Sequence, residues 1–171
     1  MTDPEGFDDY LGLAGRSFAG VDAVTFHGAS GSGKSTAVAF LRRHPDFAGE
    51  DVVVLDDLTG ARDLPDLIRP LRAGRRVLAA CHFPPRWLLP LRARWRIASF
   101  ALDALPEKIE HWLAAQDVPY SREAVAAFCR RFGANYTDAA LVLEHSPGKS
   151  FDAALARFFR ECRVERTERP G

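Results

Sequence analysis

A glycine-rich loop between a short apolar run and an amphipathic segment constrains this chain more than any other feature. The run Ala23–His27 contains β-branched and aromatic residues, which favour a strand. The next residues, Gly28-Ala29-Ser30-Gly31-Ser32-Gly33, are too rich in glycine for regular structure, and helical character follows from Lys34 until Pro45. A strand, a tight loop and a helix in direct succession are typical of α/β proteins with a parallel sheet.

The same loop has the sequence of a phosphate-binding site. Gly28-x-x-x-x-Gly33-Lys34-Ser35 is a complete Walker A motif. Glycines allow backbone N–H groups to face phosphates, and the start of a helix adds partial positive charge there. In this motif Lys34 reaches the terminal phosphates, where it also serves catalysis, and the Ser35 hydroxyl ligates Mg²⁺. The alternative is a glycine-rich turn that matches by chance.

We therefore expect the chain to bind a nucleoside triphosphate with Mg²⁺, most simply ATP. The residues expected to contact the nucleotide are Gly28, Ser30, Gly31, Ser32, Gly33, Lys34, Ser35 and Thr36.

A second apolar run ends in two carboxylates. The continuous run from Asp51 to Asp56 predicts a strand buried on both faces. Carboxyl ends of parallel strands border the ligand crevice, so Asp56 is expected to hold Mg²⁺ through water, together with Ser35. The run resembles the Walker B strand of ATPases, and Asp57 stands where those enzymes place the carboxylate that polarises the attacking water. That residue is more often Glu, so the resemblance implies slow hydrolysis. The alternative is a buried strand that leads into a polar turn.

A third predicted strand, Arg76–Cys81, is followed by His82. At that strand end His82 could donate to a terminal phosphate or to an attacking water, or it could simply begin a loop. Both interpretations stay open. His27, directly before the glycine-rich loop, is expected to be structural.

Two weaker elements lie around the third strand. Apolar spacing over Leu64–Leu71 indicates a helix limited by Pro65 and Pro70, and Arg96–Leu102 indicates another short strand. A turn of helix is expected between them, over 87–91.

After Pro106 the pattern becomes helical only. Pro106 suits the first position of a helix, and Ser121, Thr137 and Ser150 are candidate caps for three more. Gly133 is placed to end the second. The order of elements predicts a parallel-sheet α/β core followed by a small C-terminal helical subdomain. The predicted regions are a polar, helical or loose lead-in (1–20), the core (21–104), the helical subdomain (105–162) and a charged, frayed tail (163–171).

These residues resemble additional-strand P-loop NTPases, and within them the AAA+ ATPases near the bacterial replication initiator. The resemblance is carried by Gly28–Ser35, Leu55–Leu58, the strand and proline turn at Ala80–Pro85, and the helices from Pro106 to His145. It implies a P-loop core, a helical lid over the nucleotide, and ATP hydrolysis. It also places Leu91–Trp95 where those proteins carry an arginine near a subunit interface.

The chain departs from that family in two places. The strand between the glycine-rich loop and the acidic run is missing, and Gly133–Asp138 lacks the arginine that the lid normally offers to the nucleotide. These departures favour a small ATPase that acts as a nucleotide-dependent switch or adaptor, over a ring motor. The alternatives are a small-molecule kinase that transfers the γ-phosphate of ATP, and a module that binds nucleotide without turnover.

Charge is balanced over the chain but unevenly distributed. Lys and Arg together number 23, as do Asp and Glu, which indicates neither a nucleic-acid binder nor a membrane-surface protein. Residues 67–102 nevertheless hold eight Arg and no acid. This segment is interpreted as a solvated face, a surface for a protein partner or for self-association, an arginine finger, or, with less support, a nucleic-acid contact.

Cysteine usage and hydropathy complete the prediction. Cys81, Cys129 and Cys162 fit no metal spacing and leave an odd thiol, as in proteins of reducing compartments. No signal peptide and no apolar run of membrane-spanning length is found. We expect a cytoplasmic protein without a membrane partner.

Overall fold

In the computed structural model, a four-stranded sheet forms the centre of the first part of the chain. The structure describes residues 9–49, 51–103, 105–146 and 150–167, with side chains as far as Glu161. The strands are β1 (Ala23–His27), β2 (Val52–Leu58), β3 (Arg76–Cys81) and β4 (Ile97–Ala101). They lie in the order β2-β3-β1-β4 and all pairs are parallel, so the predicted α/β class is confirmed.

Two helices pack on this sheet. They are α1 (Lys34–Arg42) and α2 (Leu64–Arg72). α1 packs against β1 and β3, and α2 against β2 and β3. Alternate residues of a strand share a face, so Val77 and Ala79 form one apolar cluster with Leu67 and Leu71 of α2. α2 tolerates Pro70 in its last turn, where the helix ends soon after it.

The prediction that β2 is buried on both faces is wrong. Among the described residues β2 is an edge strand with β3 as its single neighbour, and Val54 is 46% exposed. It also continues to Leu58, and its register with β3 shifts between Leu55 and Leu58. Asp56 and Asp57 therefore lie inside an irregular strand end.

The connection from β3 to β4 contains two short helical turns, where one turn over 87–91 was predicted. They are the 3-10 turns Pro85–Leu88 and Leu91–Ala93. Phe83 and Leu88 are buried and join the apolar cluster of α2. The connection thus packs beneath one face of the sheet.

Residues 9–22 pack onto the sheet unit. Leu13 and Phe18 are buried, and the Phe18 amide donates to Asp46 Oδ2 at 2.7 Å. Asp9 Oδ1 accepts the Leu13 amide at 2.6 Å, closing a turn. The predicted helical or loose lead-in is therefore a packed, non-helical segment from residue 9, and residues 1–8 lie outside the described residues.

The chain divides into two compact units, Met1–Asp103 and Ala104–Gly171. In the described residues of the second unit, 105–146 and 150–167, all regular elements are helices. These are α3 (Pro106–Ala115), α4 (Arg122–Phe132), α5 (Tyr136–Glu144) and α6 (Phe151–Thr167). Its core includes Ile109, Phe128 and Phe151.

Helix boundaries in the second unit test the predicted caps. Ser121 Oγ accepts the Ala124 amide at 3.1 Å and Ser150 Oγ accepts the Ala153 amide at 3.3 Å, which confirms both caps. The Thr137 prediction is wrong, because Asn135 Oδ1 accepts the Thr137 amide at 2.9 Å and α5 begins earlier. The expected fraying from residue 163 is also wrong for residues 163–167, which continue α6, and residues 168–171 lie outside the described residues.

Within the described ranges, no helix has both the length and the apolar character needed to cross a bilayer.

Candidate functional site

The carboxyl ends of β1, β2 and β3 meet at one cleft of about 360 Å³. Parallel strands bring these ends to the same edge of the sheet. The cleft is lined by Ser30, Gly31, Gly33, Lys34, Ser35, Thr36, Asp56, Asp57 and His82. The structure therefore brings together every residue predicted to bind or react except Gly28 and Ser32.

Gly28 and Ser32 shape the loop instead of lining the cleft. Both are buried, and a Cβ atom on Gly28 would lie 2.6 Å from Ser32 Oγ. Gly31 and Gly33 have φ angles of 76° and 83°, which L side chains rarely adopt. Gly33 stands at the N-cap of α1, so these backbone angles place the loop directly over the start of the helix.

Lys34 lies folded back onto the loop. Its side chain is buried, and Nζ donates to the carbonyl oxygen of Ala29 at 2.8 Å. Burial lowers the pKa of Lys34, while the charges of Asp57 and Asp56 oppose that shift. The ammonium group therefore lies between the loop and the carboxylates of β2.

Ser35 and Asp56 bring a hydroxyl oxygen and a carboxylate oxygen together in the cleft. Ser35 Oγ, in the first turn of α1, donates to Asp56 Oδ1 at 2.9 Å. The Asp57 amide donates to the same oxygen at 3.0 Å. Hydroxyl and carboxylate oxygens are ligands that Mg²⁺ accepts, so these two residues fit the predicted metal role. No group of three or more His, Cys, Asp or Glu that could hold a metal occurs in the described part of the chain.

Asp57 and His82 form a pair that the sequence did not predict. His82 Nε2 lies 2.8 Å from Asp57 Oδ1, and the two side chains are 28% and 76% exposed. Asp57 has a φ angle of 61°, unusual for a residue other than glycine but more accessible to Asp than to most. The shifted register of β2 thus turns this carboxylate towards the end of β3. Strained backbone of this kind is frequent at functional sites.

His27 is structural in its surroundings. It is 2% exposed, with Nδ1 2.7 Å from the Phe83 carbonyl oxygen and Nε2 2.8 Å from Thr25 Oγ1. Burial lowers the pKa of His27, a change that the Phe83 carbonyl partly opposes. Burial therefore favours the neutral form of the ring.

Asp103 is a charged residue near the glycine-rich loop, and the sequence analysis did not single it out. It follows β4, and its backbone nitrogen would lie 3.4 Å from a Cβ atom on Gly28. Its charge raises the pKa values of Lys34 and His27 against the effect of burial. Its position in the sequence could have indicated this, because Asp103 directly follows a predicted strand, as Asp57 and His82 do.

The arginine-rich segment does not behave as one surface. Arg76 donates to the carbonyl oxygens of Val21 at 3.0 Å and Phe18 at 2.7 Å, and its guanidinium lies 4.0 Å from the centre of the Phe47 ring. It is a structural residue that joins the start of β3 to the N-terminal segment. The segment also contains exposed arginines, among them Arg86, Arg92 and Arg94.

The cleft is the strongest indication of function that the chain offers. It combines a glycine-rich loop at a helix start, one ammonium group, a hydroxyl–carboxylate pair and a carboxylate–imidazole pair. No known protein-family model matches the chain. No curated protein matches it either.

Proposed function

We propose that this chain binds a nucleoside triphosphate with Mg²⁺, ATP in the first place, and hydrolyses it slowly as a nucleotide-dependent switch or adaptor. One observation carries the proposal, namely that Lys34, Ser35, Asp56, Asp57 and His82 converge on a single cleft beneath a glycine-rich loop. A cleft of about 360 Å³ has room for a triphosphate group.

The loop residues would bind the phosphates. Backbone N–H groups of the loop and of the first turn of α1 supply partial positive charge, and Lys34 supplies a full one. Lys34 Nζ now donates to the Ala29 carbonyl, a bond that it would exchange for phosphate oxygens. Ser35 and Asp56 would hold Mg²⁺, which neutralises phosphate charge when it is bound.

The Asp57–His82 pair would orient the attacking water. The exposed carboxylate of Asp57 would accept a proton from water, whose oxygen bonds to the γ-phosphorus as the bond to the leaving ADP oxygen breaks. The His82 ring, whose Nε2 lies 2.8 Å from Asp57 Oδ1, would hold that carboxylate in place.

The strand order supports the additional-strand class. The strand that gives this class its name lies between the strand of the phosphate-binding loop and the strand of the acidic residues. Here β3 lies between β1 and β2, in that arrangement. β2 ends the sheet on its side, which agrees with the missing strand noted in the sequence.

The test is equilibrium binding of ATP with Mg²⁺ together with phosphate release. Lys34→Ala should weaken nucleotide binding at least about tenfold, because it removes the charge from the loop. Asp57→Asn should keep binding and lower the rate of phosphate release about 100-fold. Asp51→Asn is the matched control, since Asp51 directly precedes β2 and so lies at the end of the strand away from the cleft. Wild-type protein that binds no ATP, or binds it equally after Lys34→Ala, would refute the proposal.

A kinase is the second candidate, and the exposure of Asp57 favours it. A carboxylate that is 76% exposed can accept a proton from the hydroxyl of a second substrate as readily as from water. ADP that forms only when a metabolite pool is added, without release of inorganic phosphate, would identify transfer. ATP that stays intact under every condition would indicate a binding module.

A further inference from the structure

His27, the residue before the glycine-rich loop, makes two side-chain hydrogen bonds in addition to its packing contacts. His27 ends β1, and its ring touches the segment that follows β3 and the middle of its own strand. Neither contact is needed to complete a strand, because the His27 backbone already pairs with Cys81 and Ala101. The ring therefore adds a connection that the sheet itself does not require.

The partners of the ring fix its tautomer. The Phe83 carbonyl oxygen can only accept, so Nδ1 carries the proton and donates at 2.7 Å. A neutral ring then accepts at Nε2, so the Thr25 hydroxyl donates to it at 2.8 Å, a shorter contact than the 3.4 Å to its other acceptor, the Ala98 carbonyl oxygen. Thr25 Oγ1 in turn lies 2.9 Å from Ser99 Oγ, which donates to it. The chain of hydrogen bonds runs in one direction from β4 through β1 to Phe83.

The segment held by His27 is the one that carries His82. The His82 amide donates to the Leu58 carbonyl oxygen at 2.7 Å, and the Phe83 carbonyl oxygen accepts from His27. The dipeptide 82–83 is thus tied to β2 at its first N–H and to β1 at its last C=O. The Phe83 ring is fixed as well, since it stacks on Trp87 with centroids 5.5 Å apart and planes 9° apart.

We propose that His27 is a positioning residue, which holds the 82–83 segment so that His82 meets Asp57 within hydrogen-bond distance. The expected effect of His27 on rate rests on the proposed hydrolysis, whereas its effect on the position of His82 does not. A catalytic carboxylate placed about 1 Å away from its working position loses much of its effect on rate. His27 acts through Phe83 and His82 and touches no reacting atom.

Two substitutions separate the two hydrogen bonds of the ring. An Asn side chain places its NH₂ group two bonds from Cβ, as Nδ1 is in His, so His27→Asn retains the donor to Phe83 and loses the acceptor for Thr25. A Gln side chain reaches the position of Nε2, so His27→Gln retains the contact with Thr25 and loses the donor to Phe83. Both variants break one hydrogen bond and remove part of a buried ring, so a purely structural role predicts similar losses of Tm and of rate.

The expected result is a difference in kcat. His27→Gln should lower kcat for ATP hydrolysis about tenfold with the Kd for ATP unchanged, whereas His27→Asn should recover most of the rate. Equal kcat values for the two variants would overturn the proposal, whether both rates fall or neither does.

A readout without nucleotide keeps this inference separate from the proposed function. The ¹⁵N and ¹H signals of the His82 ring should move in His27→Gln and stay close to wild type in His27→Asn. In the wild-type protein, ring NMR should show His27 protonated at Nδ1. Protonation at Nε2, or His82 signals that are the same in all three proteins, would overturn the positioning role even if ATP is hydrolysed. If the ring signals behave as expected but the protein does not bind ATP, the proposed function is refuted and the positioning role of His27 is not.

Discussion

β1 and β2 both end at the candidate site, yet they hold their site residues in different ways. β1 lies between β3 and β4, and all five of its residues are buried. In the part of the chain that the structure describes, β2 pairs with β3 alone; it exposes Val54, and its register shifts before Leu58. The glycine-rich loop, which needs particular backbone angles, therefore follows a strand that is hydrogen-bonded to a neighbour on each side. The two carboxylates belong to an edge, where a bulge can turn a side chain without disturbing the sheet.

The largest expected effect tests the rigidity of β1. Phe26 is fully buried and stacks on Phe100 with centroids 5.5 Å apart. Phe26→Ala should lower the free energy of unfolding by about 3–5 kcal/mol, because it leaves a cavity in the centre of the sheet. Urea denaturation followed by circular dichroism measures the loss. Phe26→Leu is the milder companion variant, and a loss below about 1 kcal/mol for the Ala variant would contradict a rigid centre.

The next effect concerns the backbone at Asp57. At a φ angle of 61°, a β-branched side chain clashes with its own backbone, whereas Asn is tolerated. Asp57→Val should lower the free energy of unfolding by about 1–2 kcal/mol relative to Asp57→Asn. Both variants should reduce ATP hydrolysis alike, since both remove the carboxylate. Equal stability of the two would show that residue 57 does not adopt a left-handed conformation in solution.

The third effect is a pH dependence from the buried end of β1. The pKa of His27 is lowered below its ordinary value of 6.5, so the unfolded chain binds a proton more readily than the folded one. The contribution of His27 to stability is complete above pH 6.5 and is lost as the pH falls through 6.5 towards the lower pKa of the folded state. The loss is at most about 1.4 kcal/mol for each pH unit. Urea midpoints of wild type and His27→Asn should converge as the pH falls, and parallel curves would contradict a neutral, buried ring.

The smallest effect belongs to the outer face of β2. Val54→Thr keeps the β-branched shape at a side chain that is already 46% exposed. The free energy of unfolding should change by no more than about 0.5 kcal/mol. A large loss in the same urea experiment would mean that the face of β2 that carries Val54 is covered in solution.

Local sequence features predicted the central strands well. The bounds of β1 and β3 agree with the prediction, because each is an apolar run ended by a residue that breaks the pattern, Gly28 after one and His82 after the other. The convergence of the loop with Asp56, Asp57 and His82 also followed from one rule, that parallel strands end at the same edge of a sheet.

Features that depend on distant parts of the chain were not predicted. A run such as Val52–Leu55 looks the same whether one or two strands flank it, so the edge position of β2 required the strand order. The Asp57–His82 contact required the register shift in β2, which no local signal marks. At α5, Asn135 and Thr137 are both acceptable caps, and only the backbone after Gly133 decides between them.

The acidic ends of β2 have a consequence for how copies of this chain behave when they are crowded together. An exposed strand edge with valines is a template on which another chain can add, and its growth into aggregates is limited by like charges at its ends. Asp51 stands before Val52, and Asp56 and Asp57 stand at the other end of the run. The carboxylates that face the cleft are therefore also gatekeepers, and removing both Asp56 and Asp57 should raise light scattering at high protein concentration, whatever it does to the chemistry.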